Sequence, residues 1–590
     1  MKRTCLLALI TVSASALFGS NPAFDKWAED LAAETMRANP VRATFAQYFT
    51  GEEQDALDRK LTPNTREYRA ERVERSRKAL AELAKFDRET LDAEQRISAL
   101  VIEWSLRRAV DGHQFQDHDF VFDQFRGLQV RLVNFLSQSH PIRNQRDIEN
   151  YLARLKLVAA QVDEGIAQAR DAGERGFLMP DFITRSALGQ FERFLSNPPA
   201  KNVLVVSLDE RAGKLADVTA DERAEFVAAA AEITGEQIMP AFERAQALLQ
   251  EQLPHTKSDA GLWCLPDGDA AYANALRQFT TTDKTPDEIH ELGLAEVARI
   301  EAQMDGLLRG LGFPEGSIKD RMAQLDASLQ PAADPDPRPG LIARYEEILA
   351  DAVRRSEDVF DIRPKAPCVV KREPPFTEKT AAAHYSGPAR DGSLPGIFWA
   401  PLPGPKFKIA TMRTLTHHEA IPGHHFQIAL QRETESLPRY RRDGIFSGGS
   451  AYSEGWALYS EQLAAEFGWY EGDTVGLLGQ LDAELMRARR LVVDTGIHAK
   501  HWTRQQVIDY GLPASEAERY VVLAGQACAY KVGQLKILEL RKRATAALGE
   551  KFPIKEFHNV VLQSGNMPLD VLEQVIDAWI AGKKQSNPSS

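Results

Sequence analysis

Apolar residues recur every three or four positions through the first part of the chain, from about residue 22 to residue 252. The segment from Thr65 to Phe86 combines this spacing with dense charge, and the segment from Arg146 to Gly173 repeats it and stops at a glycine. This period is typical of an amphipathic α-helix, whereas the strict alternation typical of strands is scarce. The pattern therefore predicts a mainly α-helical protein.

The helical pattern continues beyond residue 252, with a loop-like start at Leu253 and a linker or surface loop at residues 332–340. Thr285 followed by Pro286 is typical of a helix start, because threonine caps the first turn and proline fits its first position. From Arg372 the chain is rich in Gly and Pro, and the aromatic run Gly396–Ala400 predicts a β-strand whose edge an extended peptide could pair with. Helical spacing then returns. We interpret the chain as a leader (1–20), an N-terminal helical region (21–252), a helical middle region (253–371) and a C-terminal region (372–590).

The chain begins with a basic segment and then an apolar one. Lys2 and Arg3 precede a short apolar run, Cys5–Ala16, which ends in small residues. This order predicts a secretory signal peptide over residues 1–20, and hence a periplasmic or secreted protein; a leader that is apolar by chance is the alternative. No other apolar run reaches the length of a membrane span, so we expect no stable membrane insertion.

Composition narrows the classes of function. The formal net charge of −12 argues against binding to nucleic acid, whose phosphates attract a basic surface.

Of the four cysteines, Cys264, Cys368 and Cys528 follow the leader, and none belongs to a C-x-x-C pair. One disulfide could form among the three, but their spacing is not that of a disulfide framework. The sequence leaves the oligomeric state open.

Four of the thirteen histidines lie within the stretch LTHHEAIPGHHFQ, Leu415–Gln427. Imidazole is the commonest protein ligand of metals, so the stretch indicates a metal site. On a regular helix, however, a zinc pair is separated by four residues, as in H-E-x-x-H. His418 and His424 are six apart and would face different sides of a helix. His418 and His425 share a side but would lie about 10.5 Å apart along the axis.

Pro422 and Gly423 resolve this conflict by predicting a break in the helix. Proline lacks an amide hydrogen, and glycine tolerates unusual dihedral angles. A distortion that absorbs two residues would return His424 to the side of His418, where both could bind one Zn²⁺ ion. Glu419, beside the first ligand, would then act as the general base on a water molecule.

The other two histidines of the stretch are interpreted as substrate-binding residues. His417 and His425 could bind substrate, stabilise an oxyanion or support the ligands. The choice between His424 and His425 as the second ligand stays open at this point. A polar helix start with solvated histidines is the alternative to a metal site.

A catalytic zinc usually has three protein ligands and one open position. Downstream, the run SEGWALYSEQL predicts a helix that Ser453 could cap and that opens with Glu454, thirty residues after His424. We predict Glu454 as the third ligand, because the histidine cluster outweighs the alternative of an exposed carboxylate at a helix start. Glu461, seven residues further along the same face, would orient a ligand histidine through its free ring nitrogen.

Further candidates surround this predicted centre. An oxyanion formed from a scissile carbonyl needs a donor opposite the metal, and Tyr530 and His498 are our candidates for that catalytic role. Tyr530 could equally be a core residue with a satisfied hydroxyl. Arg490 and Tyr385 are candidate substrate-binding residues, and Asp494 is a candidate support behind the ligands. Arg490 and Asp494 are four apart, so a simple ion pair on one helix face is the alternative for both.

The motifs HHEAIPGHHFQ and SEGWALYSE together resemble the bacterial family labelled domain of unknown function 885 (DUF885), a branch of the zincin-like metallopeptidases. The similarity extends over most of the chain after the leader. The run SEGWALY is similar to the NEGFA helix of zinc aminopeptidases, whose Glu is the third zinc ligand and corresponds to Glu454. The resemblance implies a large helical zincin-like architecture of gluzincin type, with a small β-sheet next to the active-site cleft. It makes residues 372–590 the catalytic region.

The expected function is that of a zinc-dependent hydrolase with one Zn²⁺ ion. Its substrate would be a peptide or a small amide, with cleavage of peptide bonds in short peptides as the principal expectation. Two alternatives stay open: a zinc hydrolase of non-peptide amides or esters, and a zincin-fold binding protein without catalytic activity. The sequence does not identify the substrate or distinguish exopeptidase from endopeptidase cleavage.

Overall fold

The computed structural model describes residues 20–331, 335–374, 378, 381–389 and 394–586. The signal peptide predicted over residues 1–20 therefore lies outside the described residues except for its last position. The described helices are α1 Pro22–Arg37, α2 Pro40–Ala46, α3 Gly51–Asp58, α4 Arg66–Leu83, α5 Ala93–Asp111, α6 Leu128–Asn134, α7 Gln145–Glu174, α8 Asp181–Leu195, α9 Val203–Ala212, α10 Ala220–Ile233, α11 Met239–Gln252, α12 Gly268–Thr280, α13 Pro286–Gly310, α14 Ile318–Ser328, α15 Arg338–Arg355, α16 Met412–Glu419, α17 His424–Glu433, α18 Arg439–Arg442, α19 Ser450–Glu466, α20 Thr474–Ala499, α21 Arg504–Asp509, α22 Ala514–Val522, α23 Cys528–Leu548, α24 Ile554–Gln563 and α25 Leu569–Ser586. The prediction of a mainly helical protein is confirmed.

Helix starts follow the capping signals in the sequence. Thr65 precedes α4, and its hydroxyl oxygen accepts a hydrogen bond from the amide of Tyr68 at 3.1 Å. Thr285 precedes α13 and forms a capping box with Glu288, in which each side chain accepts the other residue's amide hydrogen. Such caps satisfy amides that have no partner inside the helix. The helix start predicted at Thr285 is confirmed.

A small three-stranded sheet precedes the histidine stretch. Its strands are β1 Cys368–Arg372, β2 His384–Ser386 and β3 Gly396–Ala400. Strand β3 lies in the middle, parallel to β1 and antiparallel to β2. The prediction of a strand at Gly396–Ala400 is confirmed, but the prediction that its edge is open to a peptide is wrong, because both of its edges are paired.

Apolar residues pack into three clusters, and α20 contributes to all of them. The first cluster joins the two ends of the described chain, from Phe24 to Ile580, and includes the residues around the histidine stretch. The second is built mainly from α6 to α11, and the third lies between α13, α14 and α20. The cores therefore run across the boundaries between the three predicted regions.

Helices α19 and α23 approach each other closely through glycine. A Cβ atom on Gly455 would lie 2.5 Å from the Cα atom of Gly533, and one on Gly533 would lie 2.0 Å from the carbonyl oxygen of Ala451. Neither position leaves room for a side chain, so the two backbones pack directly against each other. This contact fixes α19, the helix that carries Glu454 and Glu461.

Two expectations from the sequence concern a disulfide bond and a membrane-spanning helix. Cys264, Cys368 and Cys528 are all free thiols, so the disulfide left open by the sequence does not form here. Among the helices of the described ranges, none has the length and apolar character needed to cross a bilayer.

Candidate metal centre

The helix that carries the histidine stretch is broken where Pro422 and Gly423 predict. Helix α16 ends at Glu419, α17 begins at His424, and the four residues between them form a turn. A side chain on residue 423 would not fit, because its Cβ atom would lie 1.9 Å from the carbonyl oxygen of His418. The prediction of a broken helix is confirmed.

Helix α19 holds this turn in place. The indole Nε1 of Trp456 donates a hydrogen bond to the carbonyl oxygen of Pro422 at 2.9 Å, and the hydroxyl of Ser460 donates to the same oxygen at 3.1 Å. Both side chains are fully buried. Since Glu454 lies on the same helix, the turn and the third candidate ligand are fixed relative to each other.

Helix α19 begins at Ser450, so Ser453 lies inside its first turn, and the prediction that Ser453 caps it is wrong.

The break brings together His418, His424 and Glu454, whose candidate ligand atoms lie within 4.8 Å of one another. Oε2 of Glu454 lies 3.5 Å from Nε2 of His418 and 3.4 Å from Nε2 of His424. These separations exceed the usual hydrogen-bond length of about 2.9 Å. They match the edge of a ligand tetrahedron around zinc, which is about 3.4 Å for ligands about 2.1 Å from the metal. His424, and not His425, belongs to the cluster.

The three groups combine negative charge with access from solvent. Burial opposes ionisation of Glu454, but the two neighbouring imidazoles hold its pKa well below the usual range. Its Oε2 atom has no hydrogen-bond partner among the described residues. The side chains of His424 and Glu454 are 13% and 20% exposed, whereas that of His418 is 4% exposed. The cluster thus pairs an ionised carboxylate with two imidazoles, and His424 and Glu454 are its more accessible members.

Glu461 lies behind His418, where the sequence predicts a supporting carboxylate. Its Oε1 atom accepts a hydrogen bond from Nδ1 of His418 at 2.7 Å, and its Oε2 atom accepts one from the hydroxyl of Thr414 at 2.7 Å. Although burial opposes its ionisation, the charge of Arg487, 3.8 Å away, helps to hold the pKa of Glu461 below the usual value. A carboxylate in this position keeps the proton on Nδ1 and leaves the lone pair of Nε2 directed at the cluster.

Glu419, at the end of α16, is the buried carboxyl group beside this cluster. It is 6% exposed, and burial raises its pKa above the usual value. The charges of His418 and His424 act in the opposite direction, and that of Glu454 adds to the increase. A carboxyl group with a raised pKa is suited to accept a proton and release it again near neutral pH.

The structure places His417 in the interior. Its Nδ1 lies 3.2 Å from the hydroxyl of Tyr470, and its ring packs edge-on against Trp469. Burial lowers its pKa to about 3, so the ring is neutral. A fully buried ring cannot contact substrate, and the predicted substrate-binding role of His417 is therefore wrong.

His425 faces the sheet instead of the metal cluster. Its Nδ1 accepts a hydrogen bond from the hydroxyl of Tyr385 at 2.8 Å, and both groups pack over the start of β3 at Gly396. His425 is only 2% exposed, and burial lowers its pKa to about 4. The pair connects α17 to the sheet, which contradicts the predicted substrate-binding role of His425. The Tyr385 hydroxyl is engaged by this hydrogen bond.

Arg490 and Tyr530 contact each other. The Arg490 guanidinium lies 4.6 Å from the centre of the Tyr530 ring, and it donates hydrogen bonds to the hydroxyl of Tyr520 at 3.0 Å and to Glu516 at 3.1 Å. Tyr530 is partly exposed. Asp494 does not pair with Arg490, so the ion pair given as the alternative for both residues does not form.

His498 and Asp494 belong to a separate buried network. Nδ1 of His498 accepts from the amide of Leu262, and Nε2 donates to the carbonyl of Tyr520, both at 3.0 Å. The Asp494 carboxylate accepts from the hydroxyl of Tyr272 at 2.7 Å. With both ring nitrogens engaged, His498 cannot donate to an oxyanion, and Asp494 contacts no ligand histidine; both predicted roles are wrong. Helix α20 continues through His498 to Ala499.

Four supporting residues are missing from the sequence prediction: Thr414, Trp456, Ser460 and Arg487. Thr414 lies four residues before His418 and hence on the same helix face, so helical spacing could have indicated it. Arg487 and Trp456 carry no comparable signal, because their contacts depend on how distant helices pack.

Comparison with known proteins assigns the chain to a family. A crystal structure from Colwellia psychrerythraea, described as a "putative lipoprotein", is 29% identical, with a TM-score of 0.85 over 96% of this chain and 100% of that one. A structure from Shewanella oneidensis, described as a "putative lipoprotein of unknown function", has the same fold at 17% identity, with a TM-score of 0.70 and coverage of 96% and 100%. No curated protein matches the chain. The model of the family "Bacterial protein of unknown function (DUF885)" matches residues 40–576, and the chain therefore belongs to the DUF885 family.

Proposed function

We propose that this protein is a zinc-dependent hydrolase that cleaves short peptides. The observation that carries the proposal is the convergence of His418, His424 and Glu454, with ligand atoms 3.4 and 3.5 Å apart, beside the buried carboxyl group of Glu419. Two imidazoles and one carboxylate are a known ligand set of catalytic zinc sites, and three protein ligands leave one position open. The unpartnered Oε2 atom of Glu454 is consistent with a cation at this point.

The residues of the site have separable roles in hydrolysis. A zinc ion held by the three ligands would lower the pKa of water and polarise a scissile carbonyl. Glu419 accepts a proton from the attacking water, holds it on its carboxylate and delivers it to the leaving nitrogen, for which its raised pKa is suited. Glu461 orients His418 by holding the proton on Nδ1.

Tyr530 is our candidate donor to the developing oxyanion. Its hydroxyl makes no described hydrogen bond, its side chain is partly exposed, and Arg490 lies over its ring. Tyr385 is the weaker candidate, because its hydroxyl already donates to His425. Mainly helical architecture with a small sheet is compatible with the zincin-like, gluzincin-type fold that we propose for the chain.

A substrate panel with metal removal tests the proposed function. We expect the purified protein to release new amino termini from short peptides, to lose this activity when a chelator removes the metal, and to recover it with a single equivalent of Zn²⁺. Small amides and esters belong in the same panel, because the chemistry proposed for zinc serves those bonds as well. Cleavage of amides or esters alone would replace the peptide assignment. A protein that binds no zinc and cleaves nothing in the panel would contradict the proposal.

Replacing Glu461 by Gln should weaken zinc binding without removing a ligand. The amide can still accept from Nδ1 of His418, but it lacks the charge that strengthens this hydrogen bond. Loss of such a partner typically reduces metal affinity by about 10- to 100-fold. Competition with a chromophoric chelator measures the change, and activity should return at saturating zinc. Glu466→Gln, on the same helix but paired with Arg541, is the matched control. Equal zinc affinities in the two variants would show that Glu461 does not position the ligand.

We also propose that the mature protein acts outside the cytoplasm. The two similar structures are described as putative lipoproteins. The basic and then apolar start of this chain is typical of a signal peptide. Cell fractionation followed by determination of the mature N-terminus tests this location.

A further inference from the structure

A cleft of about 380 Å³ lies between α24, the first turn of α5 and the loop that joins α17 to α18. Its walls come from Glu94 on α5, from Ser436 and Leu437 in the loop, and from one face of α24. Small-molecule sites typically have volumes of about 300–1,000 Å³. The cleft is thus large enough for a small ligand, and it contains none of the residues that converge at the candidate metal centre.

Helix α24 presents a mixed face to this cleft and an apolar face to the core. The residues that line the cleft are Glu556, Asn559, Val560 and Gln563. They follow one another at spacings of three, one and three residues, which places them on one side of the helix. The other side is anchored by buried residues such as Phe557. The core contacts therefore hold the polar side chains of α24 against the wall formed by α5 and the loop.

Three oxygen atoms of the cleft residues have no hydrogen-bond donor within the described ranges. They are Oε2 of Glu94, Oε1 of Glu556 and the buried Oδ1 of Asn559. Carboxylate and amide oxygens accept hydrogen bonds and cannot donate them. A buried acceptor without a partner is unfavourable. A ligand that complements these oxygens must therefore bring donors.

The residues that line the cleft carry negative charge only, since none of them that the structure describes is Lys, Arg or His. Arg441 is fully buried behind the cleft, where it donates to the carbonyl oxygen of Ser564 at 2.6 Å and to Oε1 of Glu94 at 3.4 Å. Lys583, on α25, pairs with Oε2 of Glu556. Each carboxylate is thus held through one oxygen by a cation of the protein, while its second oxygen stays available to a ligand.

An organic cation suits this cleft better than a metal ion. Metal ligands must converge on one point, and in the described part of the chain the acidic and histidine side chains do so at His418, His424 and Glu454 and not here. An alkylammonium group supplies three N–H donors and a charge that carboxylates bind strongly. Its alkyl chain can pack against Leu437 and Val560, the apolar residues of the cleft.

We propose that this cleft, which we name the α24 cleft, binds an organic cation that carries an alkylammonium group. The source of that group is either a free aliphatic diamine or the lysine side chain of a peptide. The inference depends on neither zinc nor hydrolysis, because the α24 cleft shares no residue with the three converging ligands.

Calorimetric titration with matched cationic and neutral probes tests the inference on the purified protein. One pair is cadaverine and the pentanediol of the same length. The second pair is a capped Gly-Lys-Gly peptide and its norleucine counterpart. We expect the cationic member of at least one pair to bind about tenfold more tightly, which corresponds to about 1.4 kcal/mol. The pair that shows the difference identifies the source of the ammonium group.

Two substitutions in α24 locate the binding. Glu556→Gln should weaken binding of the favoured probe by about tenfold, and Asn559→Leu by about threefold, because a charged acceptor forms the stronger hydrogen bond. Thermal unfolding should be nearly unchanged, since Glu556 pairs with Lys583 at the surface and Oδ1 of Asn559 gives up no hydrogen bond. Glu94 is kept, because its removal would leave the buried charge of Arg441 unpaired.

Glu550→Gln, at an exposed glutamate before α24, is the matched control and should bind the probe as the parent protein does. Cationic and neutral probes that bind equally would overturn the inference. Binding that is as tight in both α24 variants as in the control would also overturn it, by showing that amines bind the acidic surface at large. Displacement of the bound amine by one equivalent of Ca²⁺ would assign the α24 cleft to a metal ion instead.

Discussion

Replacing Glu419 by Gln is expected to slow peptide hydrolysis by a factor of about 10³, while the protein keeps its metal. General base catalysis typically contributes 10²–10⁴-fold, and a thousandfold loss corresponds to about 4 kcal/mol of transition-state stabilisation. The amide has the shape of the carboxyl group but cannot accept the proton of water. Since Glu419 is not one of the three converging ligands, zinc content and zinc affinity should be unchanged. Initial rates at saturating peptide, with metal analysis of the same sample, measure both.

The control for this substitution is an identical chemical change at an exposed glutamate. Glu435 follows α17 and is exposed to solvent, so Glu435→Gln should be as active as the parent protein. A Glu419→Gln protein that hydrolyses at the parent rate would exclude Glu419 as the base. A variant that loses zinc together with activity would instead place Glu419 among the ligands.

Local signals predicted the elements that form the centre. The apolar period indicated the helices, and Pro422 with Gly423 indicated the break, because these two residues act on the backbone directly. Once the break was expected, helix geometry favoured the pairing of His418 with His424, but only the structure decides between His424 and His425. Glu461 was predicted in the same way, from its position seven residues after Glu454 on the same helix face.

These local signals could not predict contacts between segments that are distant in the sequence. The strand at Gly396–Ala400 was predicted, but its position between β1 and β2 depends on residues up to about thirty positions away. His498 was proposed for catalysis on its residue type, yet Leu262 and Tyr520 engage both of its nitrogens. A polar residue near a predicted site is informative only when its partners are known.

The geometry of the centre depends on packing as much as on the histidine stretch. The Pro422 carbonyl is held by Trp456 and Ser460, so the break in one helix is bound to α19. Helix α19 is itself held against α23 by the close contact of Gly455 with Gly533. The distances between the imidazoles and Glu454 therefore depend on successive contacts, from α23 to α19 and from α19 to Pro422, that involve residues outside the histidine stretch.

His424→Ala is expected to abolish hydrolysis and to weaken zinc binding by about 10²–10³-fold. Zinc binding free energies of about 10–16 kcal/mol shared among four ligands correspond to about 2.5–4 kcal/mol for each, which converts to roughly this factor. The fold should persist, because His424 is partly exposed and its Nδ1 atom has no hydrogen-bond partner among the described residues. Zinc content after dialysis and competition with a chromophoric chelator measure the loss.

The neighbouring residue His425 provides the matched control, because its replacement should lower stability and leave zinc binding intact. His425→Ala removes a buried ring and the partner of the Tyr385 hydroxyl, so it should reduce the free energy of unfolding by about 2–4 kcal/mol. It should nevertheless retain zinc, because its ring faces the sheet at Gly396 and not Glu454. Urea unfolding and metal analysis of both variants separate the two effects. If His425→Ala loses zinc while folded and His424→Ala retains it, the second ligand is His425 and the turn between the two helices has another geometry in the metal-bound protein.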